Sequence, residues 1–134
     1  MSFRVALGAI AAIFCATLVN AETLECKMTV NANSGGYVTE LYYFDSDSET
    51  GKALVHDGLT EHYEGGPVAA KIVDDSYKKK VFSWAVQMTN SSGQSTKMTF
   101  RAAYIKSKKT MTITATVGSG YDGSFQGRGT CKEV

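Results

Sequence analysis

The chain has 134 residues, 43% of them hydrophobic and 20% charged, with a formal net charge of +1. That length supports one small domain, and near-neutrality excludes the strongly basic domain that nucleic-acid binding calls for. A single proline and the absence of any repeat or low-complexity tract leave no linker long enough to divide the chain.

The chain opens MSFRVALGAIAAIFCATLVNA. One positive charge, Arg4, precedes an apolar run from Val5 to about Val19. Val19, Asn20 and Ala21 then place small or permissive residues where a signal peptidase reads, so cleavage is expected between Ala21 and Glu22. A membrane anchor is the rival reading, but about fifteen apolar residues fall short of the roughly twenty that a spanning helix needs. A lipidated cysteine would follow a small residue, and Cys15 follows Phe14. The expectation is a secreted or periplasmic protein, with a signal over 1–21, one domain over 22–134 and no later segment able to cross a membrane as a helix. Two of the three cysteines then remain, Cys26 and Cys131. In an oxidising compartment they are expected to pair. The bond would close a loop of about 106 residues, which the chain-entropy model credits with roughly 4–5 kcal/mol.

Period-2 alternation then predicts eight strands. Leu24, Cys26, Met28 and Val30 share one face of the first. YVTELYYF (37–44), KALVH (52–56) and PVAAKIV (67–73) give the next three. KKVFSWAVQM (79–88) sets Phe82, Trp84, Val86 and Met88 against Ser83, Ala85 and Gln87. TKMTFRAAYIK (96–106) groups Met98, Phe100, Ala102 and Tyr104, and TMTITATV (110–117) sets Met111, Ile113, Ala115 and Val117 against four threonines. The eighth is YDGSFQGRGTC (121–131). Turn-forming stretches at 31–36, 45–51, 89–95, 106–109 and 118–120 separate them, and no segment after the signal carries a helix-capping signature. This pattern predicts an all-β fold: a small antiparallel eight-stranded up-and-down barrel, or alternatively a β-sandwich. Closure would make the first and last strands neighbours, so that the Cys26–Cys131 disulfide staples the seam. Gly123, Gly127 and Gly129 would share a face with Phe125 and Cys131. Bare backbone there would let the last strand bend at closure, or let Trp84 or a tyrosine lie over it; room for a ligand is the competing reading.

Charge is unevenly distributed. Residues 22–75 hold 11 acids and 3 bases, whereas residues 76–134 hold 10 bases and 2 acids. In a meander, sequence halves become spatial halves. One flank should therefore be basic, centred on Lys78, Lys79, Lys80, Lys106, Lys108 and Lys109. Either the halves attract one another across their seams, or the lysine flank meets an anionic partner: lipid head group, polysaccharide or acidic protein.

Other candidate sites are weaker. His56, His62 and Glu64 are of zinc-ligand type, but H-x5-H matches no short metal motif. Asp45, Asp47 and Glu49 begin like a calcium loop, yet Thr50 stands where the turn glycine belongs and His56 where the bidentate glutamate belongs. Ser76 and Lys79 have the S-x-x-K spacing of serine acyl-enzymes, but on a strand rather than a helix start. Asn90-Ser91-Ser92 is formally a glycosylation acceptor and is read as a hairpin loop. Of the adjacent Tyr42 and Tyr43, the outward ring is the better contact residue. No cofactor motif is present, and no nucleophile has an evident base partner.

Three functions compete. The first expectation is a monomeric, non-enzymatic protein-interaction or inhibitor-type barrel, acting through its loops and lysine flank. The second is a lipocalin-like carrier of a small apolar ligand, held in a pocket lined by Met28, Trp84, Met98, Phe100 and Met111. The third is a metal-binding protein using His56, His62 and Glu64.

Overall fold

The computed structural model describes residues 21–118 and 124–134. Residues 1–20 of the expected signal segment, Cys15 among them, lie outside these residues, as do Tyr121 and Gly123. Eight strands form: β1 (Ala21–Thr29), β2 (Leu41–Asp47), β3 (Lys52–His56), β4 (Val68–Asp75), β5 (Lys79–Thr89), β6 (Ser95–Ile105), β7 (Thr110–Val117) and β8 (Ser124–Glu133). They pair in sequence order, and β8 returns antiparallel onto β1, so the sheet closes. The fold is an up-and-down barrel rather than a sandwich. Among the described residues every strand therefore has a neighbour on both sides, and none is an edge strand open to recruit another chain.

Alternation decides which residues face inward. In β7, Met111, Ile113 and Ala115 are buried, while Thr110, Thr112, Thr114 and Thr116 face out. The interior is an aromatic stack: Trp84 lies parallel to Phe100 at 5.2 Å, and Phe44 stacks on Phe82 at 4.7 Å. Tyr42 and Phe44 meet Trp84 edge-on. Met28, Trp84, Met98, Phe100 and Met111 all belong to this one core, none more than 6% exposed.

The last strand lies inside the seam. Cys26 and Cys131 are direct cross-strand partners and are disulfide-bonded across a separation of 105 residues. A Cβ on Gly129 would run into the Lys27 carbonyl oxygen and fall 2.7 Å from Met28 Cα, so β8 approaches β1 more closely than any side chain permits. At Gly127 a Cβ would meet Val38 Cγ1 at 2.6 Å. Closure and packing thus account for both glycines. The residue lying over Gly127 is Val38, not Trp84 or a tyrosine.

Two elements differ from expectation. β2 begins at Leu41 rather than 37 and runs through the acidic stretch to Asp47. Residues 37–40 instead carry Val38 across the barrel end, behind a 3-10 turn at Ala32–Ser34 whose Ser34 hydroxyl donates to the Gln126 carbonyl at 2.9 Å. A short helix, α1 (Gly58–Glu64), stands where no capping signature was recognised and no helix was expected. Asp57 caps it: its Oδ1 accepts from Thr60 N–H, and Thr60 Oγ1 accepts from Asp57 N–H, both at 3.0 Å. Gly65 ends it in the left-handed region at φ 78°.

Candidate functional site

The strand order sorts the connections onto two ends of the barrel. The β2–β3, β4–β5 and β6–β7 hairpins and the start of β1 share one end, while α1, the 3-10 turn and the β5–β6 hairpin share the other. The lysines singled out in the sequence gather at the first end.

Half of these six, and Lys132 beside them, spend their charge internally. Lys79 pairs with Asp74 at 3.5 Å, Lys106 with Asp75 at 2.9 Å, and Lys132 with Glu25 at 3.2 Å. Lys80 reaches Glu22 at 3.5 Å and Asp75 at 3.8 Å. In every one of these pairs the carboxylate comes from the acidic first half and the lysine from the basic second half. The uneven sequence thereby stitches the barrel across the β4–β5 and β1–β8 seams and across its mouth.

Lys80 is the exception to the expected flank. It is 2% exposed and points into the barrel mouth, where its ammonium donates to Ser46 Oγ at 3.2 Å and Ser48 Oγ at 3.1 Å. Burial pushes the Asp75 carboxyl up, but hydrogen bonds from Lys106 and Ser48 and the Lys80 charge outweigh it, and the net shift is downward. Tyr104, the cross-strand partner of Lys80, is shifted upward by burial and by Glu22 and Glu133.

What remains outside is compact. Among the described residues, Lys78, Lys108 and Lys109 have no ion-pair partner. Lys106 N–H donates to the Lys78 carbonyl at 2.9 Å, tying the β4–β5 and β6–β7 hairpins side by side. Tyr77 projects from the same tip, 84% exposed, with Lys78 Nζ 5.6 Å from its ring centroid. Val73, 48% exposed, follows on β4 just before the turn. Ser76 holds this turn by accepting from the amides of Lys78 and Lys79, at 3.3 and 3.2 Å, so its S-x-x-K spacing is that of a turn cap. Tyr77 was not singled out in the sequence. The cue was its place in a turn, outside strand alternation and beside a run of lysines.

The other candidates are dispersed or engaged. His56 Nε2 pairs with Glu61 Oε2 at 3.0 Å, and His62 lies edge-on to the Tyr63 ring at 4.6 Å. His56, His62 and Glu64 do not converge, and among the described residues no group of three His, Cys, Asp or Glu side chains could hold a metal. Asp45 accepts from the Thr23 hydroxyl and Asp47 from the Glu49 amide, so the half calcium motif serves strand and turn. Asn90 Oδ1 accepts from Ser92 and Gln94 amides, closing the expected hairpin. Tyr43 faces outward and donates to Glu25 Oε1 at 3.1 Å, while Tyr42 is buried. A groove of about 720 Å³ lies against Thr23, Asp45, Leu54 and Ala69 of β1–β4, and none of the five expected pocket residues lines it. No protein-family model, curated protein or solved structure matches this chain.

Proposed function

We propose a non-enzymatic binding barrel, working outside the cytoplasm, that presents its β4–β5 and β6–β7 hairpins to an anionic partner. The observation that carries this reading is the residue of charge left after internal pairing: Lys78 stands beside the exposed Tyr77, and Lys108 and Lys109 lie on the hairpin bonded alongside. The remaining lysines of the basic half that reach this end serve the fold. The buried disulfide supports an oxidising compartment, as does the signal-like start of the chain. The carrier reading has less support, because its expected lining residues already pack against one another in the core.

Anisotropy titration with fluorescent poly-glutamate tests the proposal. Binding is expected at low salt and should weaken as ionic strength rises. The triple substitution Lys78→Ser, Lys108→Ser, Lys109→Ser should weaken it by about tenfold or more. Equal affinity in the triple variant would place the binding elsewhere.

A further inference from the structure

Resting on that reading, we infer that the anionic partner is a lipid surface, met by Tyr77 as an interfacial anchor within the cluster of Lys78, Lys108 and Lys109. Three features favour a membrane over an acidic protein. The unpaired cations at this tip are all lysine. Protein interfaces are depleted in lysine and enriched in arginine, whose rigid fork suits fixed carboxylates. Flexible point charges suit a diffuse anionic plane such as a phospholipid leaflet. Second, the feature is a projection, not a recess. Tyr77 extends from a hairpin tip at 84% exposure, and a neighbouring hairpin is bonded alongside it through Lys106 and Lys78. Third, tyrosine has an apolar ring with a polar end, the form that settles at head-group level in bilayers. Val73, half exposed on β4 four residues before it, adds apolar surface on the approach. Docked this way, the barrel stands on one end, with α1 and the β5–β6 hairpin held away from the lipid.

Sedimentation with vesicles of phosphatidylglycerol and phosphatidylcholine, against vesicles of phosphatidylcholine alone, tests this with the disulfide-bonded protein lacking residues 1–21. Binding is expected only to the anionic vesicles, falling about fivefold for each of the three lysines replaced by serine. A Tyr77→Trp variant should blue-shift on binding and be quenched by brominated lipid. Trp84 gives a constant background, being buried and stacked on Phe100. Tyr77→Ser should weaken vesicle binding while leaving poly-glutamate affinity within about twofold. Poly-glutamate binding without vesicle binding would overturn the lipid assignment and leave the anionic-partner reading standing. Failure with both polyanion and vesicles would overturn both. Equal binding to neutral vesicles would also overturn the lipid assignment, as would indole fluorescence in the Tyr77→Trp variant that anionic lipid leaves unchanged.

Discussion

At Gly129 the missing side chain is what lets the barrel close. Alanine there would drive a Cβ into the backbone of β1, at Lys27 and Met28, and backbone cannot step aside as a side chain can. Gly129→Ala should cost about 3 kcal/mol, the upper end for overpacking, measured by urea denaturation. Gly127→Ala meets a side chain instead, so the loss should be smaller and should shrink when Val38→Ala is added. Strictly additive losses in that double-mutant cycle would mean that Val38 is not the obstacle. Parity also placed residues that composition misassigned. Lys80 shares its register with Phe82 and Trp84, so alternation alone puts it inside the barrel. Membership of a lysine run argued for the surface instead, and burial with four polar partners shows that parity prevailed.

Among the elements, β5, β6 and β7 were legible because each carries four apolar residues at alternate positions on one face. The helix α1 was not, for a physical reason. At seven residues it cannot persist by its own propensity, and glutamate or glutamine, the usual partner in a capping box, is replaced by Thr60. It is held by tertiary contacts. Asp57 is buried and accepts from the Thr39 hydroxyl at 2.7 Å as well as from Thr60 N–H. Asp57→Ala should therefore lose about 2 kcal/mol, the high end for a cap. A fall of only a few tenths in chemical denaturation would show that Thr39 and Thr60 find other partners. The start of β2 was equally hidden: YVTELYYF reads as one aromatic and β-branched run, but Val38 is drawn out of the strand to cover Gly127.

For the whole molecule, the strong charge asymmetry was legible at once and its purpose was not. A sequence shows how many charges each half carries, not how many meet across a closed sheet. Closure joins the halves, and of the six lysines that mark the basic flank Lys78, Lys108 and Lys109 stay outside the pairing among the described residues. Acid should expose this design. The carboxyl of Asp75 is depressed below its ordinary 3.8. Its contribution is therefore complete above that value and disappears as the pH falls through the lower folded value. Protonation would also strand the Lys80 ammonium in the mouth. Replacing both carboxylates, Glu22→Gln with Asp75→Asn, should cost about 3 kcal/mol at neutral pH, the scale for leaving a buried charge unpaired. Lys80→Met should be neutral or stabilising by about 1 kcal/mol or more, with a shallower fall in melting temperature between about pH 5 and pH 2. A Lys80→Met protein as weak as the double carboxylate variant would contradict this account. Removing both cysteines by Cys26→Ala with Cys131→Ala should lower stability by roughly 4 kcal/mol, read from the denaturation midpoint.

Seven of the eight strand interfaces join neighbours in sequence; the eighth joins the first strand to the last, and the two thiols meet only there. Local hairpins can assemble quickly, whereas the contact of longest range comes at the greatest cost in chain entropy. In the reduced protein, the encounter of Cys26 with Cys131 therefore dates the final event of assembly. Rapid alkylation during refolding would act as a clock: hairpin signals should mature while both thiols remain open to reagent, and their protection should mark the moment the cylinder shuts.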